Sequence, residues 1–166
     1  TTNGSGVVSW ASGGAKEIDD LTDGINDDYS VFLGSGSGIA DDGTYNKNTA
    51  LGTNALKNTN TGETNTACGF QALVLNESGN DNTAVGAYSL DGNIGGSFNT
   101  AVGSYCQSGT SGSENVTIGH HVLYINNTGS SNVCVGNYSF SNNTSGHHNV
   151  GVGDDASISN TTGSYN

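Results

Sequence analysis

The side chains able to do chemistry are few. The 166-residue chain has three Cys, four His and fifteen carboxylates, against three Lys and no Arg. Cys68, Cys106 and Cys134 share no C-x-x-C spacing, and an odd set of scattered thiols reads as small buried hydrophobes. The histidines form two adjacent pairs, His120-His121 and His147-His148. Neighbours on a strand point to opposite faces, so neither pair is expected to chelate a metal by itself. One imidazole from each of three chains, meeting on a threefold axis, would suit a transition metal. Asp20-x-x-Asp23-Gly24 and Asp41-Asp42-Gly43 have the oxygen density that calcium favours but not the spacing of a calcium loop, so they read as solvated turns. Tyr88, Tyr105 and Tyr138, with His121 between the last two, make a candidate surface contact, for stacking on sugars or for packing between chains. No nucleophile with its base, no nucleotide loop and no selected carboxylate pair is present. The expectation is a non-enzyme with no catalytic residue, no metal site and no cofactor.

Composition narrows the architecture. With 32% hydrophobic residues, 27 Gly and no Pro or Met, a conventional core of large aliphatics cannot be assembled. A charged fraction of 11% and regularly placed aliphatics do not fit disorder either. A thin-cored repetitive fold reconciles the two. The net charge of −12 excludes nucleic acid as a natural partner, since phosphate binding needs a basic stripe. No run approaches the roughly 18 apolar residues of a membrane-spanning helix, so no membrane insertion is expected. The opening Thr1-Thr2-Asn3-Gly4 is no signal peptide, and the chain is read as a piece of a longer protein.

The elements that would position these side chains come from an internal repeat, N-T-A-V-G-x-x-A-L-x-x-N-x-T-G-x-x. Its first position is Asn48, Asn65, Asn82, Asn99, Asn115, Asn132 and Asn149. The unit is 17 residues long, except for the 16-residue unit that Asn99 opens. The fifth position is Gly52, Gly69, Gly86, Gly103, Gly119, Gly136 and Gly153. Such units are too short for a paired-helix repeat, and Gly and Asn mark corners because they accept positive φ. Each unit therefore reads as one coil of an all-β solenoid, seven coils in all. The opening Asn column is expected to form a stacked amide ladder. Invariant Asn and Gly are thus structural repeat positions.

Two neighbouring columns are apolar. The fourth runs Leu51, Cys68, Val85, Val102, Ile118, Val135 and Val152, and is assigned to the core ladder; the third runs Ala50, Ala67, Ala84, Ala101, Thr117, Cys134 and Gly151. They must lie on opposite sides of the sheet: one faces the narrow interior, and the other needs a partner surface. A homotrimer about the solenoid axis supplies that surface most simply. The second column, Thr49, Thr66, Thr83 and Thr100, turns to Val116, Val133 and Val150, which gives little support to ice binding.

Residues 1–29 read as a connector and 30–47 as a degenerate capping coil built on Ser30-Val31-Phe32-Leu33-Gly34; residues 48–166 are the solenoid proper.

The N-T-A-V-G-x-x-A-L units resemble the head repeats of trimeric autotransporter adhesins, whose coils are shorter by about three residues. Together with D-L-T-D-G and S-V-F-L-G-S-G-S-G upstream, they look more like repeats in bacteriophage tail fibres. The resemblance covers about residues 30–166. It implies a left-handed β-roll, trimeric, with exposed corners and no catalytic residue. By that likeness the chain would be a structural and adhesive segment of a virion tail fibre, attaching to a host glycan or protein receptor. A bacterial trimeric surface adhesin, displayed at the cell surface, is the alternative. A polysaccharide depolymerase on a solenoid is a distant third.

Overall fold

A computed structural model describes residues 30–42, 45–109, 112–157 and 160–165. The expected connector, residues 1–29, lies outside them. The chain forms a parallel β-solenoid of about seven turns. Eight short strands make one sheet in sequence order: β1 (Val31–Leu33), β2 (Thr49–Leu51), β3 (Thr66–Cys68), β4 (Thr83–Val85), β5 (Thr100–Val102), β6 (Val116–His120), β7 (Val133–Asn137) and β8 (Val150–Val152). Register follows the repeat: Thr66 pairs with Thr83, Ala67 with Ala84 and Cys68 with Val85. The coil of residues 30–47 joins on the same register, Phe32 opposite Ala50.

Bonding runs round the perimeter as well as through the strands. Gly52 N–H donates back to Leu33 O at 2.8 Å, and Leu56 N–H donates forward to Ala72 O at 3.0 Å. The fifth-position glycines turn the strand with φ between +128° and +143°, and a Cβ on Gly86 would stand 2.5 Å from Gly103 O. No side chain fits there. Seventh- and ninth-position residues are left-handed without being glycine, as in Tyr88 (φ 57°) and Leu90 (φ 51°). Such residues cost roughly 1–2 kcal/mol each, and only a conformation over-determined by its neighbours keeps them.

These turns decide what fills the interior. Because positions seven and nine are left-handed, strand-like alternation stops after the glycine, and positions eight and nine both turn inward. Ala55, Leu56, Ala72, Leu73, Leu90, Cys106, Val122, Leu123 and Phe140 are buried. From the opposite wall the third column enters, Ala50, Ala67, Ala84, Ala101, Thr117 and Cys134, all buried. With a leucine coming from one side, the space left admits little more than a methyl group. Phe140 and Gly151 demonstrate the trade, since a Cβ on Gly151 would collide with the Phe140 ring.

This corrects one expectation. Leu51, Cys68, Val85, Val102, Ile118, Val135 and Val152 do not form the core ladder. They lie on the outer face: Leu51 is 48% exposed and Ile118 43%, while Cys68 and Val135 are half-buried. Apolarity put them inside; volume keeps them out.

The opening asparagines do form a ladder, wholly buried. Asn82 Nδ2 donates to Asn65 Oδ1 at 3.0 Å and to Gly96 O at 2.9 Å, and Asn65 Oδ1 also accepts from Asn82 N–H at 3.0 Å. The pattern repeats from Asn48 to Asn149. A second ladder stands at position twelve. Asn93 Nδ2 bonds Asn76 Oδ1 at 2.7 Å and shares the Gly96 carbonyl at 2.9 Å, and Asn143 bonds Asn126 at 3.2 Å. Both satisfy backbone carbonyls that a thin coil would otherwise leave without partners.

Candidate functional site

Three surface features could meet a partner. The first is the outside of the sheet. Each strand buries its central residue and turns its neighbours outward. One outer column is Val31, Thr49, Thr66, Thr83, Thr100, Val116, Val133 and Val150; the other is Leu33 followed by the misassigned column above. No charged residue occurs in either. At about 4.8 Å per strand the face is roughly 34 Å long, flat and two residues wide. It is an extended uncharged surface on a chain of net charge −12.

The second is the aromatic strip, where the structure brings the expected residues together. Tyr88 and Tyr105 stack at 4.7 Å and 11°, Tyr105 and His121 at 5.0 Å and 11°, and His121 and Tyr138 at 5.2 Å and 16°. Phe70 closes one end edge-on against Tyr88 at 5.3 Å. The left-handed turn at position seven aligns these side chains, one per coil. Their faces cover one another, so what they offer outward is edges and hydroxyls, not the open ring faces on which a sugar stacks. A further stack, His148 on Tyr165 at 4.8 Å, arises the same way at position seventeen and was not foreseen from the repeat.

The third is the His120-His121 pair. Alternation predicts opposite directions, and the structure corrects this. His120 ends β6, whereas His121 is left-handed at φ 52°, so both rings emerge on one side with centroids 4.0 Å apart. His121 Nδ1 lies 2.8 Å from His120 Nε2, and His120 Nδ1 lies 3.2 Å from Asn137 Oδ1. Burial, then the neighbouring His120 charge, lowers the His121 pKa. His147 and His148 stand 6.1 Å apart.

The cysteines divide. Burial pushes the Cys106 thiol up to about 11 and the Cys134 thiol up to about 12, which keeps both protonated and inert at neutral pH. Cys68 is half-buried on the outer sheet face. Of the acidic turns, Asp20 and Asp23 lie outside the described residues, while Asp41 and Asp42 lie near Asn46 Nδ2 at 3.4 and 3.2 Å. No described helix is long and apolar enough to cross a membrane.

No protein-family model matches the chain, and no curated protein or solved structure is significantly similar to it.

Proposed function

We propose that this chain is a structural and adhesive segment of a homotrimeric fibre on a bacteriophage virion, with three copies meeting along the outer sheet face. The observation that carries the assembly is that face: two uncharged columns of Val, Leu, Ile, Cys and Thr on the outside of a coil too narrow to hold them. Like chains of net charge −12 repel one another over most of their surface. Only a charge-free strip lets copies approach, and equal strand spacing lets its rows interleave. The resemblance of the N-T-A-V-G units to tail-fibre repeats supports the virion setting and the attachment role. The receptor would meet the corners and the aromatic edges, which remain outward when the sheet faces are covered.

Light scattering tests the assembly. The expected mass is about 50 kDa, three times the 16.7 kDa chain, and Val102→Asp together with Ile118→Asp should leave folded single chains. Mild oxidation should join chains through Cys68 and not in Cys68→Ser. A monomeric wild-type mass overturns the trimer. The adhesive role is tested separately, by binding of labelled protein to bacterial cells and by antibody labelling of virions. Protein that decorates no cell surface, or antibody that labels no virion, overturns that part.

A further inference from the structure

The sixth position of the repeat forms a lane beside the aromatic strip. It runs Phe70, Ala87, Ser104, His120, Asn137 and Asp154. Lane and strip are in register. Tyr88, Tyr105, His121 and Tyr138 each donate N–H to the sixth-position carbonyl of the coil before, at between 2.9 and 3.2 Å.

Two rings in this lane stand outside the stack. From Tyr88 to Tyr138 successive planes agree to within 16°. Phe70 meets Tyr88 at 77°, and His120 meets His121 at 84° and Tyr138 at 80°. A ring lying in the stack has its faces covered by the coils above and below. A ring turned across the stack has its faces to the sides. His121 Nδ1 packs against one side of His120, 2.8 and 3.1 Å from its two nitrogens, and both His120 and Phe70 are exposed. Three coils separate these rings by roughly 14 Å along the axis. Between them stand Ala87 and Ser104, small and half-buried, so the lane is low there. Beyond His120, Asn137 Oδ1 lies 3.2 Å from His120 Nδ1, which leaves the amide Nδ2 to donate. Asp154 adds an exposed carboxylate.

That order of groups suits a sugar chain. A pyranose offers its C–H faces to aromatic rings and its hydroxyls to groups that donate or accept. An added peptide strand is disfavoured. The lane's carbonyls from Phe70 to His120 are already bonded within the solenoid, so they offer no open edge to pair with. No Lys follows Lys57 and the chain has no Arg, so an acidic polysaccharide would meet only repulsion.

We propose that the sixth-position lane is a binding groove for a neutral oligosaccharide. Phe70 and His120 are its stacking platforms, and Asn137 and Asp154 bond the sugar hydroxyls. The groove rests on the adhesive role proposed above and gives that role its ligand class.

Binding of the labelled whole protein to bacterial cells tests it, with the cells first treated with periodate, which cleaves sugar diols, or with protease. Binding should be lost after periodate and persist after protease. Neutral polysaccharide released from the same cells should compete, and the acidic fraction should not. Phe70→Ala and Asn137→Ala should each weaken binding about ten-fold. Ser104→Gln, which fills the lane and removes neither ring, should do the same. Tyr165→Ala, at another corner, should bind like wild type. Loss after protease alone, or competition by the acidic fraction alone, overturns the neutral glycan. Lane variants that bind like wild type, or that bind weakly only where light scattering shows their assembly lost, overturn the groove while the adhesive role stands. Wild-type protein that binds no cell overturns the adhesive role itself, and the groove with it.

Discussion

The coil of residues 82–98 and the next, 99–114, were built on one plan, and one residue separates them. In the longer coil the Gly96 carbonyl accepts from both ladders, Asn82 Nδ2 and Asn93 Nδ2, each at 2.9 Å. The shorter coil has lost its residue between Gln107 and Gly112, the stretch that elsewhere holds the second asparagine. Asn99 Nδ2 donates to Gly112 O at 2.9 Å, and the sequence has Thr110 where the second asparagine would stand, outside the described residues. Leu90 gives way to Gln107, equally buried, whose Nε2 donates to Asn99 Oδ1 at 2.9 Å. The shortage shows on both sides of the step: Gln107 Oε1 in the short coil and Asn93 Oδ1 in the coil before it are buried without partners. Thr59 Oγ1 and Asn143 Oδ1 are in the same situation elsewhere in the described residues. A solenoid tolerates this because each coil is held by its neighbours, but the polar network there has lost its redundancy.

The largest effect that difference predicts is on the first ladder. Asn99→Ala removes the partners of Gly112 O, Asn115 N–H and the Gln107 amide. At about 1–3 kcal/mol for each buried group, the loss is on the order of 5 kcal/mol. Asn82→Ala should cost about 2–3 kcal/mol, since Gly96 O keeps the bond from Asn93. Urea denaturation of the two variants checks the ranking, and equal losses would mean that the second ladder contributes nothing.

The interior column gives the next contrast. Leu90→Ala should cost about 2–5 kcal/mol, a buried leucine leaving a cavity. Gln107→Leu should stabilise by about 1 kcal/mol: it buries more apolar surface and removes an orphaned oxygen, while giving up one amide bond to Asn99. The measurement is the shift of the unfolding midpoint. A destabilised Gln107→Leu would show that the Asn99 bond outweighs both gains.

Much of this was legible in the residues. The repeat reproduces the strand register, and the opening asparagines stack as their spacing predicts. Which apolar column faces inward was not legible. Alternation only says that Ala84 and Val85 oppose each other; it does not say which is inside. The choice depends on Leu90 and Ser89 entering from the far wall, and hence on left-handed backbone at Tyr88 and Leu90. Those are residue types that give no sign of positive φ, unlike glycine. The same blind spot hid the His120-His121 pair, because strand alternation was extended one residue past the strand into a left-handed turn. It also left unread the stacking of Tyr88, Tyr105, His121 and Tyr138 on one another.

The smallest effect separates charge from hydrogen bonding at the step between these two coils. Burial raises the Asp91 pKa above its ordinary value, so over an interval that begins near pH 4 the folded chain binds more protons than the unfolded one. Stability must then fall as pH rises through that interval, the opposite of a carboxylate held by a salt bridge. Asp91→Asn has no charge to desolvate. It should raise the unfolding midpoint modestly at pH 7, and the gain should disappear below about pH 4, where Asp91 is neutral in both states. Paired urea titrations at pH 7 and at the lowest pH where the fold persists make the comparison. A gain of the same size at both would show that the buried charge of Asp91 is not what makes this step costly.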